Sequence, residues 1–146
     1  NKSQDILKEA EITKEKQIMT RFLELLGKDT GLAVYGAENV KRALNAGAVE
    51  TLLVSEKMRD RHFLMNCSSC SHEEEQVGKS ALELTCKVCG AAMELSKDQD
   101  LAETLIEIAS SMGSNHAIIS TSTQEGQQLF HLGGVAAILR FRVEKH

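Results

Sequence analysis

The sequence predicts an α/β fold, a sheet covered by helices on both faces, interrupted by a small cysteine-bearing insert. Three observations predict it. Segments of helical periodicity alternate with short apolar runs along most of the chain. Glycines stand at the ends of those segments. All four cysteines fall in one central stretch, where the alternation breaks.

The first helix is predicted over Ser3 to Lys28. Ile18, Met19, Phe22, Leu23, Leu25 and Leu26 form a wide apolar stripe at spacings of three and four. The pattern is weaker before Thr13, so residues 1–12 read as a helical connection from something upstream. Gly31 is placed as the C-terminal cap. Leu32 to Tyr35 is a short strand and Gly36 turns the chain. Val40, Ala43 and Leu44 mark one face of a short helix that Gly47 ends. Val49 to Ser55 is apolar on both sides, as a central strand is.

Regular structure resumes at Ser96. Ser96 and Gln99 have the spacing of a capping box, followed by Leu101, Leu105, Ile108, Ala109 and Met112 at helical spacing. Gly113 stops that helix. His116 to Ser120 is a buried strand. Ser122 and Glu125 make a second capping box for a helix to about Phe130. Gly133-Gly134 is a turn, and Val135 to Val143 is the last strand. The expected organisation is therefore an α/β domain over 13–61 and 96–146, with an insert over 62–95. Strand order is not readable from this pattern.

Composition narrows the function classes. A chain of 146 residues with 42% hydrophobic residues can bury a core without disulfides. No apolar run is long enough to span a bilayer and no signal peptide precedes the first helix, so the chain is expected in the cytoplasm with no membrane partner. It begins at Asn1, which reads as a processed product or an excised fragment. A net charge of −4 gives no general attraction to nucleic acid, and without Trp and with one Tyr the chain lacks stacking platforms. Gly31 and Gly36 lack the Lys-Ser/Thr of a phosphate-binding loop. His116 reads as a strand-end histidine, and no nucleophile–base spacing stands out. The chain is expected to be no enzyme and to take no small-molecule substrate.

The cysteines carry the chemistry. Cys67 and Cys70 form one Cys-x-x-Cys pair and Cys86 and Cys89 another, the spacing of a zinc site. One tight turn presents both sulfurs of a pair to an ion, and two such turns complete a four-thiolate shell. Such a shell leaves no place for water, so one structural Zn2+ per chain is expected. Gly90 suits the turn after Cys89, and Ser71 stands in the equivalent place after Cys70. Phe63 to Met65 and Ala81 to Leu84 are the strand arms, with the polar His72 to Gln76 between them. Two disulfides, a redox-active pair and free buried thiols compete with the metal. His62 and His72 lie near enough in sequence to replace a sulfur, or are ordinary surface histidines.

Two segments carry a family likeness. Asp29 to Glu56 (DTGLAVYGAENVKRALNAGAVETLLVSE) resembles the opening of the third, C-terminal domain of archaeal and eukaryotic class-1 peptide chain release factors. Ile118 to Val143 (IISTSTQEGQQLFHLGGVAAILRFRV) resembles the closing part of that domain. The resemblance implies an α/β/α sandwich related to kink-turn-binding ribosomal proteins. It makes the insert the family's variable minidomain, a zinc-ribbon-like module in the archaeal version. It also implies a function in translation termination on the ribosome. The domain would dock the partner GTPase, an elongation-factor-1A-like protein in archaea or a release-factor GTPase elsewhere. The family's Gly-Gly-Gln hydrolysis motif belongs to another domain; here the sole Gly-Gly, Gly133-Gly134, precedes Val135.

Family contacts with the GTPase involve the first helix, which implies Phe22 and Leu23 as partner positions. Phe22 is the stronger candidate, since Ile18, Leu25 and Leu26 could cover the core without it. Arg140 and Arg142 share a strand face and, with Lys145, could meet ribosomal RNA phosphates, or be solvated beside Glu144. Lys41 and Arg42 sit where the ribosomal relatives contact RNA, but Gly36 to Asn39 lacks the Asn-Glu order of that motif. Two alternatives stand beside the main reading. One is a kink-turn RNA-binding protein with a zinc ribbon; the other is the equivalent domain of a Pelota-like ribosome-rescue factor, against which the cysteine insert speaks.

Overall fold

A computed structural model describes residues 2–143, with side chains from Thr13. The elements are α1 (Lys2–Gly27), β1 (Ala33–Tyr35), α2 (Ala37–Asn45), β2 (Val49–Ser55), β3 (Arg61–Cys67), β4 (Glu73–Gly78), β5 (Met93–Asp100), α3 (Leu101–Ser111), β6 (Asn115–Ile119), α4 (Gln124–His131) and β7 (Val135–Leu139). They form two compact units. One holds the chain through Met58 and from Ile106 onward; the other is Arg59–Leu105. The expected connection over 1–12 is helical from Lys2, and Asn1 lies outside the described residues.

The first unit is built on a four-stranded sheet of order β1-β7-β2-β6. β2 lies inside it, antiparallel to β7 and parallel to β6, as its run Leu52-Leu53-Val54, apolar on both faces, predicts. Leu53, Ile119, Ala136 and Ile138 bury against Met19 and Phe22 of α1 and Leu129 of α4. Residues alternate across a strand, so the buried Leu52, Val54, Ala137 and Leu139 point to the other face. There α2 presents Val40, Ala43 and Leu44. Helices on both faces are as the sequence predicts.

Among the described residues, all four helices end in the same pair of backbone hydrogen bonds. In α2, Ala48 N donates to Ala43 O and Gly47 N to Leu44 O; in α3, Ser114 N donates to Ala109 O and Gly113 N to Ser110 O. Gly134 N and Gly133 N do the same for α4. The residue that turns the chain has positive φ, and it is glycine in these three. In α1 it is Asp29, with φ 53, and not the expected Gly31: Thr30 N donates to Leu25 O and Asp29 N to Leu26 O. Aspartate tolerates this left-handed conformation better than most residues.

The second unit is a three-stranded antiparallel sheet of order β4-β3-β5. It runs wider than the expected insert of 62–95, because β5 stays paired with β3 as far as Asp100 opposite Arg61. The capping box expected at Ser96 and Gln99 is therefore not formed. Both residues lie in β5, where Ser96 Oγ donates to Leu64 O, and α3 starts at Leu101. The expected strand arm at Ala81 to Leu84 is irregular, and the polar His72 to Gln76 stretch supplies most of β4 instead. An edge strand needs only backbone pairing and one half-covered face, which Glu-rich residues satisfy with their heads in water.

Two smaller shifts occur elsewhere. The N-cap of α4 is Thr123, whose hydroxyl accepts from Gly126 N at 3.0 Å, one residue beyond the expected Ser122. The last strand stops at Leu139, four residues before the expected end.

Candidate metal centre

The two cysteine pairs meet in the second unit. Their four Sγ atoms all lie within 4.8 Å of one another, with Cys67–Cys89 at 3.4 Å and Cys70–Cys86 at 3.5 Å. Among the described residues this is the group that could hold a metal ion; neither histidine belongs to it. His62 is buried on β3, with Nε2 3.6 Å from Glu75. His72 Nε2 lies 3.2 Å from Glu74 Oε1.

The two turns are copies of each other. Cys67 N donates to His72 O and Ser71 N to Cys67 O; Cys86 N donates to Ala91 O and Gly90 N to Cys86 O. The fifth residue of each turn has positive φ, 64° at Ser71 and 77° at Gly90. Serine thus holds the conformation that glycine takes in the second turn. Strand β3 delivers Cys67, and Met65, Met93, Leu84 and Ala91 pack beside the sulfurs.

The turn amides set the charge on the sulfurs. The Cys70 amide donates to Cys67 Sγ and holds that thiol down at about 6. Burial opposes ionisation of Cys86, but the amides of Cys89 and Val88 outweigh it and lower its pKa. The His72 and Ala91 amides favour thiolates at Cys70 and Cys89, yet the neighbouring sulfurs win and raise both, Cys70 to about 12. Two sulfurs ionise easily and then suppress the other two. Four thiolates stand together here only with a cation between them, which is the electrostatic demand of a metal shell. Tetrahedral thiolates around an ion at about 2.3 Å would be roughly 3.8 Å apart, so the sulfur spacing fits.

The loop between the turns is held by a clamp that periodicity does not reveal. Gln76 Nε2 donates to Leu82 O at 2.9 Å, and Leu82 N donates to Gln76 Oε1 at 3.0 Å. An amide side chain paired to both backbone groups of one residue leaves no spacing signal in the chain.

The family model of eRF1 domain 3 matches residues 12–143. The chain belongs to this family. It is 43% identical to peptide chain release factor subunit 1 of Methanobrevibacter smithii, over 98% of this chain and 36% of that protein. It is 42% identical to the protein of the same name from Pyrococcus abyssi, over 97% of this chain and 36% of that one. The chain thus spans about a third of the curated relatives it matches. The C-terminal domain of a peptide chain release factor from Methanosarcina mazei superposes with a TM-score of 0.91 and 28% identity, covering 98% of this chain and 91% of that one. Archaeoglobus fulgidus Pelota, at TM-score 0.62 and 23% identity over 97% of this chain and 33% of that one, shares the fold. The likeness carried by Asp29–Glu56 and Ile118–Val143 is borne out.

In this eRF1 domain 3 chain the positions implied as partner contacts belong to the first unit, and the sulfurs to the second. Phe22 is not at the surface: it is fully buried in the cluster under the sheet, and Ile18, Leu25 and Leu26 are the half-covered members of the stripe. The expectation that those three could cover the core without it is corrected. Leu23 is half-buried beside the same cluster. Arg140 and Arg142 are not a strand face. Arg140 Nε donates to Val49 O at 3.0 Å and Nη2 to Gly113 O at 3.2 Å; Arg142 Nε donates to Thr30 O at 2.9 Å. Both guanidinium groups tie the end of the chain to neighbouring turns. Glu144 and Lys145 lie outside the described residues.

Proposed function

We propose that this chain is the docking domain of a translation termination factor, with its cysteine turns closed on one structural Zn2+. The superposition on a release factor's C-terminal domain, over nearly the whole of both chains, is the observation that supports it. In this reading the domain binds a translational GTPase of the elongation-factor-1A-like or release-factor class and the ribosome, in the cytoplasm. It performs no hydrolysis, since the chain has no Gly-Gly-Gln. Likeness to a ribosome-bound archaeal Pelota, at 27% identity and TM-score 0.61, supports the ribosomal setting. Among the described residues no helix is long and apolar enough to cross a membrane.

Cys67, Cys70, Cys86 and Cys89 would hold the zinc. The ion supplies positive charge that lets all four sulfurs remain ionised side by side. Around it the protein's own groups orient the sulfurs through the amides of Cys70, Val88 and Cys89.

The test uses the purified chain, an archaeal elongation-factor-1A-like GTPase in its GTP form, and ribosomes carrying peptidyl-tRNA. Saturable GTPase binding with no peptide release is expected. Peptide release by this chain alone, or no GTPase binding with tight binding to a kinked RNA, overturns the reading.

A further inference from the structure

On the zinc reading above, we propose that the cysteine cluster is also an oxidation site. Hydrogen peroxide converts it into two disulfides across the turns, Cys67–Cys89 and Cys70–Cys86, as the zinc leaves. Two sulfur contacts, Cys67–Cys89 at 3.4 Å and Cys70–Cys86 at 3.5 Å, each join one turn to the other. Each also joins an exposed sulfur to a buried one: Cys70 and Cys89 are exposed, while Cys67 and Cys86 are 1% and 3% exposed. Peroxide therefore meets Cys70 and Cys89 first, and each has a buried sulfur of the opposite turn in contact to complete the reaction.

The chemistry balances in two steps, each run twice. An exposed thiolate attacks peroxide and breaks the O–O bond, giving sulfenic acid and hydroxide. The buried thiolate of the other turn then attacks the sulfenic sulfur, forming the S–S bond and releasing a second hydroxide. Two peroxides are reduced, four thiolates are oxidised to two disulfides, and the zinc ion is released because no thiolate remains to hold it.

Which pairs form decides what becomes of the module. Bridges within a turn, Cys67–Cys70 and Cys86–Cys89, would close loops too short to restrain anything and would let the turns part. The cross-turn bridges close nested loops of 22 and 16 residues, taking over the zinc's role as the clasp between the turns. The oxidised module keeps its sheet, and a thiol reductant with zinc restores the starting state.

The experiment treats the zinc-loaded chain with hydrogen peroxide. It follows zinc release with a chromogenic chelator and maps disulfides by non-reducing digestion and mass spectrometry. Zinc content before oxidation tests the metal reading separately: no zinc at that stage sinks that reading, and mapping on the same sample still tests the pairing. Expected are loss of about one zinc per chain, peptides linking Cys67 to Cys89 and Cys70 to Cys86, and full reversal by dithiothreitol with added zinc. Cys89→Ser should still form the Cys70–Cys86 bridge and leave Cys67 alkylatable. Within-turn bridges, sulfinic acids or links between chains as the main products overturn the proposal.

Discussion

The Cα of Gly126 lies against the carbonyl oxygen of Ser120, so close that a Cβ on Gly126 would overlap that oxygen. The contact seats the first turn of α4 beneath the end of β6. The Thr123 hydroxyl, accepting from Gly126 N, fixes the same turn from its other side. Neither neighbour is the tip of a flexible side chain that can swing away. Gly126→Ala should cost about 1–3 kcal/mol, the usual range for overpacking. Urea unfolding checks this, and an alanine variant with an unchanged midpoint would show that the turn has room.

Phe22 stands in the core under the sheet with no exposed surface. Phe22→Ala should lose about 3–5 kcal/mol, as large buried truncations do. Thermal unfolding measures it. An unchanged Tm with weakened GTPase binding would return Phe22 to the surface role its helix position suggests.

Ser71 and Gly90 occupy equivalent places in the two cysteine turns, both at positive φ. A left-handed backbone costs a non-glycine residue about 1–2 kcal/mol. Ser71→Gly should recover part of that and bind zinc at least as tightly, read by competition with a chelator of known affinity. Weaker metal binding would contradict the matched turns.

Metal removal should act on one unit only. The cluster that packs the cysteine turns of the second unit consists of Met65, Met93 and two of the sulfurs themselves, with Leu84 and Ala91 at its margin. Little holds the turns once the metal is gone. A strong chelator should strip amide protection from β3 and from the turns, while β2 and β7 stay protected in hydrogen exchange. Uniform loss, or none, would count against this.

Glu56 accepts hydrogen bonds from both the amide and the hydroxyl of Thr121, and these bonds lower its pKa below 4.5. A carboxylate depressed in the folded state adds stability that is present above its unfolded pKa. That contribution disappears as pH falls through the lower folded value. The stability difference between wild type and Glu56→Gln should therefore be largest near neutrality and fade below about pH 4.5. A difference that is flat with pH would show that the carboxylate charge is not involved.

Much of this arrangement is legible in the chain. Helical stripes, the glycines after α2, α3 and α4, and the inner position of β2 follow from residues close together in sequence. The paired Cys-x-x-Cys spacing likewise points to one cluster, because each turn organises its own two sulfurs. Other features are not legible. Ser96 and Gln99 satisfy a capping pattern, yet pairing with β3 draws them into β5. The apolar Ala81 to Leu84 stays irregular while the Glu-rich stretch before it forms β4. Phe22 and Leu23 are adjacent on one stripe, and the angle at which α1 meets the sheet determines which of them is buried.

Local chemistry thus settled most of the helices and strands, the glycine ends of α2, α3 and α4 and the pairing of the sulfurs within each turn, since each depends on neighbours a few residues away. Folding in three dimensions settled the strand order, in which β7 enters between β1 and β2, and the use of Arg140 and Arg142 as ties to Val49, Gly113 and Thr30. It also brought the two cysteine turns face to face. Those outcomes depend on which distant backbone groups and apolar surfaces find each other, and no short window of sequence holds both partners.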